Sequence, residues 1–196
     1  MAEMSYKEEF IKIYKDNIKR QGADSVLAWL EDSDFFTAPA STRFHLAEET
    51  GLLQHSINVY KQLGNEAWIY EKKTGEKYSS ESIAVVALLH DICKANYYKK
   101  DYRNVKNSEG VWEKAPYYTV DDTLPYGHGE KSAIILLQLG LQLSVEEVAA
   151  IRWHMGGFDE AVKGGSYSMS KAAEKYPLVQ IALHTGIADA IQTRMN

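Results

Sequence analysis

The stretch from Ile83 to Ala95 reads I-A-V-V-A-L-L-H-D-I-C-K-A and decides the fold. Its first seven residues are apolar on every side of a helical wheel, so the helix they form must be buried all round. His90 and Asp91 follow, where an ionised group without compensation costs on the order of several kcal/mol. Neighbouring helical residues point about 100° apart. Both side chains can therefore face one point only beyond the helix end, and a metal ion there meets that requirement.

The composition is that of an ordinary globular protein. The chain has 196 residues, 45% of them hydrophobic and 25% charged, which predicts one domain over residues 1–196. The formal net charge of -5 argues against an electrostatic grip on long duplex nucleic acid and leaves a small anion or a single-strand end as partner. The single cysteine, Cys93, excludes an internal disulfide and a thiolate metal cluster and fits a reducing compartment.

The sequence also predicts a cytoplasmic protein without a membrane segment. The N-terminus is polar and charged, and no apolar run approaches the ~20 residues that a membrane span requires.

Apolar spacing and capping signals predict about seven helices. The predicted helices are Ser5 to Gly22, Asp24 to Leu30, Gly51 to about Lys73, the central helix, Glu130 to Leu139, Ser144 to His154, and Leu178 to about Thr193, the last begun by Pro177. The segments Glu31–Thr50 and Phe158–Ser170 have the composition of loops.

The periodicity changes after the central helix. Tyr97–Val105 and Val111–Val120 are rich in Tyr, Val, Trp and Thr and are joined by Asn107–Gly110, which predicts a β-hairpin over about residues 97–120. Its aromatic and basic side chains could stack on and clamp a nucleobase and its phosphates, or cover the helical core or a partner. We favour a lid, because the hairpin lies between two candidate ligands, Asp91 and His128.

Six histidines and aspartates occur in an order that identifies a family. The pattern H…HD…H…H…D, with the local contexts G-L-L-Q-H-S, A-L-L-H-D-I-C-K, G-H-G-E-K-S, I-R-W-H and I-A-D-A-I, resembles the HD superfamily of metal-dependent phosphohydrolases. The resemblance covers roughly Thr42 to Gln192. It implies an all-α fold, an HD-domain helical bundle with the hairpin as an insert, in a stand-alone hydrolase.

The resemblance implies a ligand set at matching positions. His55, His90, Asp91 and Asp189 match the metal ligands found throughout the family. His128 and His154 match the extra histidines of its two-metal members, in which the doublet aspartate bridges both ions. We therefore expect two divalent ions, and nitrogen and oxygen ligands suit Mn, Fe, Co, Ni or Mg better than a structural Zn site.

The implied mechanism is hydrolysis. Two metals ~3.5–4 Å apart activate a water and offset charge on the phosphoryl oxygens. Asp91 and Lys94 are the candidate catalytic residues, since Lys94 matches the lysine that often follows the doublet. Lys94, Lys131 and Arg152 are the candidate substrate-binding cations. Cys93 departs from the glycine common at its position, which bears on how closely a substrate approaches this helix end.

Each residue also has a structural explanation. A single histidine is more often a core residue with its hydrogen bonds made inside the protein than a metal ligand. The six histidines and aspartates together, in the order of the family, favour metal binding. His45 and His184 match no ligand position, so packing or support of the ligands is the preferred interpretation, with a substrate contact by His45 as the alternative. Lys94, Lys131 and Arg152 could equally be solvated charges.

The predicted function is hydrolysis of a phosphate ester or phosphodiester in a nucleotide or small nucleic acid. The stretch R-F-H-L-A-E-E-T-G-L-L-Q-H-S is similar to the entry of HD-type 3′-to-5′ exoribonucleases, so exonuclease action on a single strand is the first alternative. A second alternative is a di-iron oxygenase, because a few HD-fold proteins use the same six ligands around iron. A non-catalytic nucleotide-binding domain is disfavoured by the complete ligand set.

Overall fold

The computed structural model describes residues 4–43 and 46–192, with side chains described as far as residue 186. Its helices are α1 (Tyr6–Asn17), α2 (Ala23–Asp32), α3 (Gly51–Thr74), α4 (Ser80–Leu89), α5 (His128–Gln138), α6 (Val145–Trp153), α7 (Glu160–Lys163), α8 (Ser168–Lys175) and α9 (Pro177–Gln192). Two strands, β1 (Tyr98–Lys106) and β2 (Trp112–Val120), form an antiparallel hairpin. The predicted helical bundle with an inserted hairpin is confirmed.

Helix α4 is the central helix, as its composition predicts. Every residue from Ala84 to Leu89 is buried, and Ser79 accepts a hydrogen bond from the backbone N–H of Ser82 at the first turn. The α-helical backbone continues through His90 and changes at Asp91, whose φ and ψ of -108° and 19° lead into a short 3₁₀ turn, Ile92–Lys94. The doublet thus lies at the junction of two helix types, where two adjacent side chains can face one point.

Helices α3 and α6 both pack against the central helix α4 and against α9. Helix α6 also packs against α5. These contacts bring the second turn of α3, the end of α4, the start of α5 and the end of α6 to one region of the bundle.

A buried ion pair fixes α6 to the chain after α1. The guanidinium of Arg20 donates two hydrogen bonds to the Glu147 carboxylate, at 2.6 and 3.0 Å, and also lies 3.5 Å from Glu81 at the start of α4. Burial would raise the pKa of Glu147, but Arg20 and the Ser144 backbone stabilise the anion and lower it. The pair therefore positions α6, and with it the end that carries His154.

The hairpin projects from the bundle. Tyr98 pairs with Val120 at its base, and Lys106 pairs with Trp112 beside the turn. Every residue from Lys99 to Asn104 is exposed, so this part of β1 has solvent on both faces. The predicted strands agree with the observed ones to within one residue.

Two parts of the sequence-based prediction are corrected. The predicted loop Phe158–Ser170 contains α7 and the start of α8, which raises the count from about seven helices to nine in the described residues. Asp159 accepts a hydrogen bond from the Ala161 backbone N–H and so caps α7, a local signal that the glycines around it obscured. Helix α1 ends at Asn17 rather than near Gly22.

Among the described residues, none of the helices combines the length and the apolar character needed to cross a membrane.

Candidate metal centre

Four helices bring five of the six predicted ligands together. His55 lies in the second turn of α3, His90 at the end of α4 with Asp91 directly after it, His128 at the first position of α5, and His154 directly after α6. Asp91 is 2% exposed and occupies the centre, because each of the four imidazoles has a nitrogen within 3.4 Å of its carboxylate.

One carboxylate oxygen of Asp91 faces the first pair of histidines. Its Oδ2 lies 3.4 Å from Nε2 of both His55 and His90, and these two nitrogens are 3.1 Å apart. Metal–nitrogen bonds of ~2.0–2.1 Å place neighbouring ligands ~3 Å apart in an octahedron and ~3.4 Å apart in a tetrahedron. The triangle of donor atoms therefore has the dimensions of one face of a metal coordination shell.

The other oxygen of Asp91 faces the second pair. Its Oδ1 lies 2.6 Å from Nε2 of His128 and 3.2 Å from Nε2 of His154. The buried Nε2 of His154 makes no hydrogen bond of good geometry in the described part of the structure, despite this approach. A metal ligand needs a nitrogen that is not used in a hydrogen bond and that lies beside the other ligand atoms. Nε2 of His154 meets both conditions.

Backbone carbonyls fix the tautomers of two histidines. Nδ1 of His90 donates to the carbonyl of Ala87 at 2.8 Å, and Nδ1 of His154 donates to the carbonyl of Ile151 at 2.7 Å. Each acceptor belongs to the last turn of a helix, where carbonyls lack intrahelical partners. Because the proton sits on Nδ1, each Nε2 keeps its lone pair for an ion.

The electrostatics of the cluster keep Asp91 anionic. Burial by itself raises the pKa of Asp91, but the Lys94 ammonium and then His128, which also donates a hydrogen bond, outweigh burial and hold that pKa well below its ordinary range. Burial lowers the pKa of His154, which favours the neutral imidazole. For His128, burial also lowers the pKa, but the nearby Asp91 carboxylate raises it to a greater extent.

Gly129 allows α5 to approach α6 closely. A Cβ atom at this position would lie 2.2 Å from the backbone oxygen of Arg152, so any side chain would push the helices apart. Because His128 precedes Gly129 and His154 follows Arg152 by two positions, the same contact sets the distance between the two imidazoles. Their ring centroids are 5.3 Å apart.

The three candidate cations have different surroundings. The Lys94 ammonium lies 2.7 Å from Oδ2 of Asp91 and so contacts the cluster directly. Lys131 is buried, pairs with Asp122 and lies over the Tyr97 ring. Arg152 forms ion pairs with two carboxylates, those of Glu130 and Asp159. Lys131 and Arg152 thus have structural partners, whereas Lys94 is at the site.

Two of the three remaining predicted positions lie outside the described side chains, and the third is a surface residue. Asp189 is on α9, but its side chain is outside the described residues, as is the whole of His45. His184 is largely exposed on α9, with Nδ1 3.8 Å from a carboxylate oxygen of Glu66, so it is a surface residue.

Two residues that were not among the predicted site residues lie at the site. Cys93 is buried with its sulfur 3.5 Å from Nδ1 of His128. Tyr98 is close enough that the Asp91 charge, after burial, raises the pKa of its hydroxyl. The position of Cys93 between Asp91 and Lys94 was an available signal, whereas nothing in the sequence separates Tyr98 from the other hairpin tyrosines.

Two groups of side chains in the described residues can hold a metal ion. The first is His55, His90 and Asp91, and the second is Asp91, Cys93 and His128. In each group the ligand atoms lie within 4.8 Å of one another. Imidazole, carboxylate and thiolate are all ligands of first-row divalent metals, so the residues present fit such an ion.

Comparison with known proteins agrees with this geometry. The HD domain family model matches residues 52–192, well over half of the chain. A segment of 84 residues is 40% identical to a dihydroneopterin 2′,3′-cyclic phosphate phosphodiesterase of Methanocaldococcus jannaschii. That segment is 43% of this chain and 31% of the relative, so the match spans about a third of the relative's length. No solved structure matches the chain.

Proposed function

Because the chain belongs to the HD domain family, we propose that it hydrolyses a phosphate ester or phosphodiester bond with a metal-activated water. The chain is then a metal-dependent phosphohydrolase, as the order of its histidines and aspartates suggests. Family membership, the cluster that can hold a divalent ion and the phosphodiesterase relative support this function.

The observation that carries the proposal is the position of Asp91 between two pairs of imidazoles. One oxygen faces His55 and His90, and the other faces His128 and His154. Such an arrangement suits a carboxylate that bridges two ions, of Mn, Fe, Co, Ni or Mg. In this proposal Asp189 completes the first set from α9.

The side chains around Asp91 have separate tasks in the reaction. Bound divalent ions would supply a water of lowered pKa and Lewis acidity toward phosphoryl oxygens. His90 and His154 hold their Nε2 lone pairs in fixed directions through their backbone hydrogen bonds, so little reorganisation accompanies catalysis. Lys94 places a positive charge beside Asp91, from which it can neutralise a phosphate oxygen of the substrate.

We propose a small phosphodiester of a nucleotide-like molecule as the substrate class. The phosphodiesterase relative supports a small phosphate ester. Tyr97 and Tyr98 pack edge to face where the hairpin leaves the site, with ring centroids 4.9 Å apart, and offer an aromatic surface to a flat ring. A short single strand is the alternative substrate, with Lys131 and Arg152 as further candidate phosphate contacts once their carboxylate partners move.

The test is a substrate screen of protein loaded with each metal in turn. The panel contains 2′,3′- and 3′,5′-cyclic nucleotides, nucleoside monophosphates and triphosphates, and short oligonucleotides. We expect hydrolysis of a small phosphodiester that stops with a chelator and returns with metal. Iron-dependent oxygen uptake without phosphate-ester cleavage would instead identify an oxygenase.

The free, buried Cys93 is compatible with a reducing, cytoplasmic location, which we include in the proposal.

A further inference from the structure

Cys93 lies near Asp91, and the phosphohydrolase proposal gives it no role. It is 4% exposed and lies on the 3₁₀ turn, two residues after Asp91. Its sulfur is 3.5 Å from Nδ1 and 3.7 Å from Nε2 of His128. A free cysteine is often buried simply as a small apolar group, so its burial alone assigns no function.

The sulfur of Cys93 contacts the His128 imidazole, and a hydrogen bond holds the turn that carries it. The backbone N–H of Cys93 donates to the hydroxyl of Ser132 on α5 at 3.3 Å, which fixes the 3₁₀ turn against the helix that carries His128. The sulfur therefore faces an imidazole whose Nε2 is itself 2.6 Å from Oδ1 of Asp91. Three different metal-ligating groups meet at this place.

The ligand atoms of Asp91, Cys93 and His128 all lie within 4.8 Å of one another, which is close enough for them to share one ion. The sulfur is nearly equidistant from Nδ1 and Nε2 of His128, at 3.5 and 3.7 Å, so it lies beside the imidazole ring rather than along the lone pair of either nitrogen. The ring of His128 would therefore turn when sulfur and nitrogen bind the same ion. The shorter contact from His128 to Asp91 is a hydrogen bond, and its proton would have to leave when an ion binds.

We propose that Cys93 is a thiolate ligand of the second metal ion, beside Asp91 and His128. The inference rests on the proposed metal-dependent function and deepens it, because a thiolate makes this position softer than an all-nitrogen-and-oxygen site. The position then prefers Zn(II), Co(II) or Fe(II) over Mg(II). When the metal–sulfur bond forms, the thiol loses its proton to solvent.

Cobalt absorption tests this role without an activity assay. Co(II) gives visible bands at any of these sites, and a thiolate ligand adds a charge-transfer band in the near ultraviolet. We expect that band in the wild-type protein and its loss in Cys93→Ser and Cys93→Ala. His128→Ala should also lose it, because this variant should lose the second ion. His55→Ala is the matched control, because it removes a ligand of the other group and should keep the band.

A second measurement follows the thiol itself. Because the chain has one cysteine, the rate of iodoacetamide labelling reports Cys93 alone. We expect Zn(II) or Co(II) to slow labelling at least tenfold and Mg(II) at the same occupancy to leave it nearly unchanged. Thermal melting of the two Cys93 variants checks that they remain folded.

The outcomes separate the two proposals. Visible cobalt bands with no near-ultraviolet band in the wild type, or an identical band in Cys93→Ser, would overturn the thiolate ligand and leave the metal centre intact. Absence of cobalt bands in every variant would overturn the metal centre as well.

Discussion

The Nε2 atoms of His55 and His90 face each other at 3.1 Å, with their rings inclined at 63°. His90 keeps its proton on Nδ1 for the Ala87 carbonyl, so its Nε2 is an acceptor. His55 must therefore supply the hydrogen in this contact. An ion that takes the place of this hydrogen would use both nitrogens and the nearby Asp91 oxygen.

Replacement of Asp91 by Ala should abolish both metal retention and hydrolysis. The carboxylate contacts all four imidazoles, so its removal takes a ligand from both groups at once. Metal content per chain after dialysis is the measurement. Asp121→Ala, which removes the hairpin carboxylate paired with Lys99, is the control and should retain metal. Equal metal content in Asp91→Ala and the wild type would refute the assignment.

His128→Ala and His154→Ala should each remove about one ion per chain while the protein stays folded. The other ion keeps His55, His90 and Asp91, which form a group of their own. Turnover should fall by more than the ~10²–10⁴-fold typical of a lost acid or base, because a Lewis acid is lost. The exposed His184→Ala serves as control. Full occupancy in both variants would show that the centre does not need them.

Gly129→Ala should reduce both stability and metal occupancy, although residue 129 is no ligand. The added Cβ would meet the Arg152 backbone oxygen, and overpacking of this kind typically costs ~1–3 kcal/mol. Gly64→Ala is the matched control, since a Cβ there meets nothing within 4 Å. In a helix interior, alanine is favoured over glycine by ~0.5–1 kcal/mol. Thermal melting should therefore move in opposite directions for the two variants.

Removal of the Glu147 carboxylate should destabilise the fold, with an effect that depends on pH. Breaking a buried pair with Arg20 typically costs ~3–5 kcal/mol. The pKa of Glu147 in the folded protein lies below its ordinary value of 4.5. The stabilisation by the ion pair is therefore fully present above pH 4.5 and is lost as the pH falls through the pKa of the folded state. The difference in unfolding free energy between the wild type and Glu147→Ala should thus shrink in acid. A difference independent of pH would exclude an ionic origin.

The base of the hairpin should matter for substrate binding more than its tip. Tyr98 lies near Asp91, while Trp112 pairs with Lys106 beside the turn. Stacking on an aromatic side chain contributes ~1–3 kcal/mol per base, so Tyr98→Leu should raise the Michaelis constant about tenfold or more. Trp112→Ala should change it less than about twofold. Steady-state kinetics on the substrate found in the screen decide this, and equal effects would favour a lid that closes along its whole length.

Strong periodicity made most of the fold predictable from the sequence. The all-apolar run before His90 could only be a buried helix, and the two stretches rich in Tyr, Val, Trp and Thr on either side of Asn107–Gly110 indicated a hairpin. The loop after α6 was predicted wrongly, because four residues of α7 carry too little periodicity to outweigh the glycines that follow.

The site was predictable only in part, because the order of residues along the chain does not show where their side chains point. The family resemblance indicated His128 and His154, but not that one carboxylate oxygen of Asp91 would face both of them. Lys131 and Arg152 were chosen for their proximity in sequence to candidate ligands. Their ion pairs with Asp122 and Glu130 depend on how distant segments pack, which no local pattern encodes.

The hairpin begins and ends at adjacent points of the bundle, with Tyr98 opposite Val120 and the Asp121 backbone N–H bonded to the Tyr97 carbonyl. Residues can therefore be gained or lost in pairs near Asn107 without altering the distance from Asp91 to His128. Evolution can lengthen, shorten or replace this ribbon while the chemistry of the helices is inherited unchanged. The ribbon is accordingly the part of the chain where we expect close homologues to diverge first, and where a library of exchanged hairpins would change substrate choice without disturbing the residues around Asp91.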